Sequence, residues 1–111
     1  MTDRPLYWVG SVLDDLRAFP VNARRRAGYQ LRRVQQGLMP DDCRPMRTVG
    51  AGVYEIRLDV GTAHRVSYVA KFSEAVYVLH AFETRTRRTR RADLEIARQR
   101  LAAVRALRRR L

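Results

Sequence analysis

The stretch Val53-Tyr-Glu-Ile-Arg-Leu-Asp59, followed by His64-Arg-Val-Ser-Tyr-Val-Ala-Lys71 and Ala75-Val-Tyr-Val-Leu-His-Ala-Phe82, decides the fold. In the first run Tyr54, Ile56 and Leu58 alternate with Glu55, Arg57 and Asp59, the period-two pattern of a strand with one apolar face. The second run pairs with it across a turn around Gly61, placing Arg65, Ser67 and Val69 on one side and His64, Val66 and Tyr68 on the other. The third is apolar on both faces, as a central strand buried on each side is. The short links favour an antiparallel meander.

Working outward, Leu6-Tyr-Trp-Val9 reads as a first strand. Ser11 opens a helix with Asp14 as its capping-box partner, Leu13, Leu16 and Phe19 along one side, and Pro20 as its stop. Asn22 is the expected N-cap of a second helix that runs to Gln36 and stops at Gly37. Ala23, Ala27, Leu31 and Val34 recur at helical spacing as its buried stripe, while Arg24, Arg25, Arg26, Arg32 and Arg33 take the remaining surface. Residues 37–52, with Gly37, Pro40, Pro45, Gly50 and Gly52, read as an irregular connection. A last helix begins near Arg91 or Ala92, carries Leu94, Ala97, Leu101 and Val104 as its stripe, and is expected to fray at Arg108-Arg-Arg110. The expected architecture is a small α+β domain over residues 1–111. It has a curved, mainly antiparallel four-stranded sheet backed by an N-terminal helical hairpin, plus a C-terminal helix.

Charge narrows the function. The chain has 23 basic and 11 acidic residues, a net +12, and Lys71 is its only lysine. Residues 84–111 hold eleven arginines against Asp93 and Glu95, so nine of the twelve excess charges lie there. An arginine excess of this kind points to a polyanionic partner, because guanidinium pairs bidentately with phosphate. No apolar run approaches the length of a membrane span, and Asp3, Asp14 and Asp15 are out of place in a secretory signal. Cys43 is the only cysteine, which excludes an internal disulfide and suits a reducing cytoplasm; it reads as a loop residue without a role. The expected location is the cytoplasm, with no membrane partner.

His64 and His80 are sixteen residues apart and lack ligand-spaced partners, so neither a metal nor another cofactor is expected. His80, within an apolar strand, reads as a hydrogen-bonded core residue. Gly50-Ala-Gly52 precedes a strand, not a helix, and is no phosphate loop. The polar face of Glu55, Arg57 and Asp59 with Arg65 is more informative. Arg57 and Arg65 on one face repel unless an anion or Glu55 sits between them, and the Arg85–Arg91 cluster starts three residues after Phe82. Guanidiniums around one carboxylate suit phosphodiester chemistry, in which the arginines neutralise developing charge and the carboxylate accepts a proton.

Met46-Arg-Thr-Val-Gly-Ala-Gly-Val-Tyr-Glu-Ile-Arg57, Ala63-His-Arg-Val-Ser-Tyr68, Val76-Tyr-Val-Leu-His-Ala-Phe82 and Ala92-Asp-Leu-Glu-Ile-Ala-Arg98 together resemble RelE/ParE-superfamily toxins, most closely the HigB-like, phage-related subgroup. The resemblance implies the toxin of a type II toxin–antitoxin system. Many members are endoribonucleases that cleave mRNA at the ribosomal A site by 2′-hydroxyl attack on the adjacent phosphate and so inhibit translation, and this activity is the one expected here. It also implies three kinds of partner: a cognate helix-turn-helix, HigA-like antitoxin encoded nearby, the 70S ribosome with mRNA, and operator DNA reached only through the antitoxin. Carried onto this sequence, it assigns Arg65 and Arg85 to phosphate binding and transition-state stabilisation, Arg57 to phosphate positioning and Glu55 to proton acceptance. Tyr54, Arg87, Arg88, Arg90 and Arg91 become RNA or ribosome contacts. The sequence departs from the pattern at Thr84, where one of a basic pair is usual, and at Glu83, where the subgroup often has Gln. No Tyr follows Tyr77, so the general acid is left to His64, Glu83 or ribosomal groups. Rival readings are a ParE-like gyrase inhibitor, which needs no phosphate-binding sheet, and a non-catalytic nucleic-acid-binding module.

Overall fold

The computed structural model describes residues 3–60 and 62–111. The three strand-like runs become β3 (Val53–Val60), β4 (Thr62–Val69) and β5 (Val76–Thr84), paired antiparallel in that order. The turn expected around Gly61 lies outside the described residues. Two short strands complete the sheet: β1 (Leu6–Trp8), parallel to β5, and β2 (Cys43–Pro45), antiparallel to β3. The sheet is therefore five-stranded and mixed, in the order β1-β5-β4-β3-β2, and not the four-stranded one expected. Three residues are too few for alternation to show, so β2 is hidden inside a Pro- and Gly-rich stretch. Its Pro45 is tolerated because β2 is an edge strand.

The helices α1 (Val12–Arg17) and α2 (Val21–Gln35) pack on one face of the sheet, and α3 (Arg91–Arg109) packs on the other. The expected stripe of α2, Ala23, Ala27, Leu31 and Val34, is buried with Val12, Leu16 and Phe19 against Ile56, Leu58, Val66, Val78 and Ala81. On the opposite face Ala97, Leu101 and Val104 of α3 meet Val53, Val69, Tyr77 and Leu79. Thus β5 is covered on both sides, which is why its sequence is apolar on both faces from Val76 to Leu79. Gly50 is the close approach on the α3 side, since a Cβ there would run into the Leu101 side chain.

The helix ends differ in detail from what the sequence predicts. Ser11 precedes α1, but its hydroxyl donates to Asp15 Oδ2 at 2.9 Å and no capping box with Asp14 forms. Pro20, not Asn22, is the N-cap of α2; its fixed φ and extended ψ turn the chain straight into the helix. The end of α3 does not fray at Arg108. That guanidinium lies 3.8 Å from the Phe72 ring centroid and donates from Nε to Glu74 Oε2 at 2.6 Å. Hydrogen bonds from Arg108 and Tyr77 hold the Glu74 carboxyl down at about 2.

A β-bulge between β4 and β5 matters for the site. Ser67 pairs with His80 and Tyr68 with Val78, so Leu79 is an extra residue. Leu79 and His80 consequently face the same side: Leu79 enters the α3 core and His80 reaches Asp93 of α3. Because each face has its own core, truncating either should destabilise the whole sheet. Leu31→Ala and Leu101→Ala should each cost about 2–5 kcal/mol in urea unfolding; a loss below about 1 kcal/mol for either would contradict this packing.

Candidate functional site

Alternation along β3 puts Glu55, Arg57 and Asp59 on the α3-facing side of the sheet, in register with Ser67, Arg65 and Ala63 of β4. Arg57 and Arg65 are direct cross-strand partners, an arrangement that repels unless anions intervene. For Arg65 they do. It is buried, its Nη1 donates to Asp59 Oδ1 and to the His64 carbonyl at 2.9 Å each, and its Nε lies 3.8 Å from Glu55 Oε1. Arg57 has no such relief. It is half-buried and its Nε is enclosed without a hydrogen-bond partner among the described residues. Leaving a buried donor unmet costs about 1–3 kcal/mol, more for a charged group, so an arriving anion gains that energy back.

Glu55 is entirely buried, and the group that covers it is Thr89, whose hydroxyl lies 2.8 and 3.0 Å from the two carboxylate oxygens. Arg44 of β2 reaches the same point: its Nη2 is 3.5 Å from Glu55 Oε1, 3.3 Å from Thr89 Oγ1 and 3.3 Å from the Arg87 carbonyl. One carboxylate therefore ties together the edge strand, the middle of the sheet and the arginine-rich loop 85–90. So placed, Glu55 organises the site from beneath, and a substrate hydroxyl reaches its oxygens only if Thr89 moves aside. The α3 end of the loop is fixed separately. Asp93 accepts from Arg90 Nε at 3.0 Å with one oxygen, and its other oxygen lies 2.8 Å from His80 Nε2. His80 is thus the hydrogen-bonded core residue its strand context suggested.

Of the residues expected to form the site, Arg57, Arg65 and Glu55 are brought together. Arg85, Arg87 and Arg88 are exposed along the loop that Thr89 anchors, and Arg90 and Arg91 are exposed at the start of α3. No described carboxylate is within ion-pair distance of Arg85, Arg87, Arg88 or Arg91. Thr84, standing where a second basic residue was expected, is buried and accepts the Thr86 backbone N–H at 3.2 Å, closing the loop instead of charging it. Tyr54 is placed elsewhere: it lies on the α2 side of the sheet, its ring 6.0 Å from that of Tyr68. His64 and Glu83 also leave the site. His64 packs 4.5 Å from Phe19 on the α1 side, with its Nε2 3.6 Å from Glu83. Neither therefore faces Arg57.

Arg44 and Thr89 were not recognisable in the sequence. Arg44 sits in a stretch with no periodicity, and Thr89 is lost within a run whose charge dominates its reading. Together with Arg47, Thr48, Arg88 and Leu94 they line a groove of about 470 Å³ beside Glu55. The site is thus a set of fixed guanidiniums at the mouth of a buried carboxylate, suited to holding a phosphodiester and stabilising added negative charge on it.

Two outcomes test this geometry. Glu55→Ala removes the anion shared by Thr89, Arg44 and Arg65, though Arg65 keeps Asp59, and should cost about 1–3 kcal/mol in thermal or urea unfolding; a near-neutral effect would remove Glu55 from its central place. Burial, with a smaller contribution from Arg100, pushes His80 below its ordinary value of 6.5 against the pull of Asp93. The fold thus favours neutral His80, so this stabilisation is complete above pH 6.5 and is lost as pH falls through the lowered value. His80→Gln should flatten that acid-side decline in a stability–pH series, and an unchanged slope would contradict the assignment.

Comparison with known proteins gives a family. The family model described as Phage derived protein Gp49-like (DUF891) matches residues 14–102, from within α1 to within α3, and so includes β2 to β5 and the loop that carries the arginines. No curated protein matches the chain. With most of its length covered, the chain belongs to the Gp49-like family of phage-derived proteins, a RelE-like, toxin-like group.

Proposed function

We propose that this protein is a HigB-like toxin of a type II toxin–antitoxin system, a ribosome-dependent endoribonuclease acting on translated mRNA in the cytoplasm. The observation that carries the reading is Arg57, a partly enclosed guanidinium with an unmet Nε donor, set directly across from Arg65. A phosphodiester supplies the anion that Arg57 lacks. Its non-bridging oxygens accept from Arg57, and Arg85, Arg87 and Arg88 close over the strand from the loop that Thr89 and Arg44 hold down. Arg65 acts behind Arg57. Its Nη1 becomes available to the phosphate when Asp59, whose side chain is 61% exposed, swings aside.

In the reaction the 2′-oxygen attacks the adjacent phosphorus, forming one P–O bond while the P–O5′ bond breaks. The products are a 2′,3′-cyclic phosphate and a 5′-hydroxyl. The attacking hydroxyl's proton is lost and the 5′-oxygen gains one. The protein contributes charge stabilisation and orientation, since arginine does not give up its proton. Glu55 serves as a positioning residue for Arg65, Arg44 and Thr89. The cognate partner in this reading is a helix-turn-helix, HigA-like antitoxin that covers the basic face and carries the toxin to operator DNA.

Arg57→Ala is the sharpest variant because Arg57 supports no described ion pair, so the fold should survive. It should lower cleavage about a hundred-fold or more and relieve growth inhibition on induction, as loss of one transition-state donor does. Arg85→Ala should act in the same direction. Primer extension after induction of the wild type should show codon-phased cuts. Full toxicity in both variants would overturn the site, and DNA damage without mRNA cuts would indicate a gyrase inhibitor instead.

A further inference from the structure

Asp59 belongs to two places at once. One carboxylate oxygen accepts from Arg65 in the arginine site. Asp59 also lines a separate groove of about 790 Å³ together with Asn22, Arg25, Arg26 and Tyr29 from the first half of α2. The groove lies where the end of β3 meets α2, and Asp59, at the end of that strand, is the residue it shares with the arginine site.

Its chemistry is distinct from that of the arginine loop. Tyr29 is 58% exposed, so its ring offers a free aromatic surface. Arg25 and Arg26 are exposed, and neither has an ion-pair partner among the described carboxylates. The first turn of α2 contains no acidic residue and no side chain caps it, so the positive end of its dipole adds to the two guanidiniums. Asp59 alone opposes an anion here, and its charge is already engaged by Arg65 at 2.9 Å. An aromatic ring beside unpaired arginines suits an unpaired base next to its own phosphate, since stacking serves the base and guanidinium the backbone. An acidic protein segment would find the charges but would make little use of the free ring.

We infer that the groove of Asn22, Arg25, Arg26, Tyr29 and Asp59 is a subsite for single-stranded RNA, in which an unpaired base stacks on Tyr29 while Arg25 and Arg26 hold its adjoining phosphate. This rests on the endoribonuclease reading and gives the strand a second contact, reached around the end of β3. Asp59 is the residue common to the two.

The test uses the full-length protein and a fluorescein-labelled, single-stranded 2′-O-methyl RNA 12-mer, which has no attacking hydroxyl and so reports binding alone by anisotropy. Tyr29→Ala should weaken binding about five-fold or more, the usual cost of removing a base stack, and Tyr29→Phe should restore it. Arg25→Ala/Arg26→Ala should weaken binding and lower the slope of log K against log salt by about 0.7 for each phosphate that is no longer neutralised. All three variants change exposed residues, and unaltered thermal unfolding establishes that they are folded. Wild-type affinity in Tyr29→Ala, failure of Tyr29→Phe to restore binding, or an unchanged salt slope in the double variant would each overturn the subsite. An acidic peptide that binds wild type and Tyr29→Ala equally, and competes with the 12-mer, would likewise overturn it in favour of a protein-docking face. If the 12-mer results hold while induced wild-type protein cuts no mRNA, the endoribonuclease reading fails and the binding groove stands.

Discussion

The buried carboxylate of Glu55 is the constraint on which the site depends. It has no exposure, and it gathers Thr89 from the loop before α3, Arg44 from the edge strand and Arg65 from the neighbouring strand. A charge in that position is tolerable only when several donors meet it, and each of those donors is itself fixed by doing so. The arginine-rich loop has few apolar side chains with which to hold itself down. Its hydrogen bonds, from Thr89 to Glu55 and from Arg44 to the Arg87 carbonyl, substitute for packing. Without Glu55, the exposed arginines would be attached to a loosely held segment, not presented at the edge of a rigid sheet.

The sheet makes this possible by dividing its labour lengthwise. On the α1 and α2 side it is apolar along most of its length, with His64 and Glu83 at one end. On the α3 side only one end is apolar, where Val53, Val69, Tyr77 and Leu79 meet the helix. The other end carries Glu55, Arg57, Arg65 and Asp59, and the bulge at Leu79 lets β5 serve both halves by turning His80 onto Asp93. The positive charge of the chain is consequently not spread as a uniform solvated coat. Part of it is gathered around one carboxylate, where the Nε donors of Arg44 and Arg57 are left unmet and Arg57 has no ion-pair partner among the described residues.

Much of this was legible in the sequence, and the failures have physical causes. Alternation in Val53–Asp59 and the stripes of α2 and α3 identified the long elements, because burial imposes a period on every residue of a long element. Periodicity cannot report a three-residue strand, so β2 and its Arg44 went unseen. The triad of Glu55, Arg57 and Arg65 followed from strand register, which alternation fixes. Tyr54, His64 and Glu83 were grouped with that triad by nearness in sequence or by resemblance. The same alternation sends all three to the opposite face. Glu55 looked like a proton acceptor as long as its cover was unknown; Thr89, separated from it by 34 positions, is visible only in three dimensions.

The central claim is that the guanidiniums beside Glu55 hold and cleave a phosphodiester by transfer to its own 2′-oxygen. The most direct measurement is the chemistry of the RNA ends left when purified protein is added to ribosomes translating a defined mRNA. Fragments ending in 2′,3′-cyclic phosphate with 5′-hydroxyl partners, formed by wild type and absent with Arg57→Ala, are the predicted result. Intact mRNA, or 5′-phosphate ends produced equally by both proteins, would contradict it.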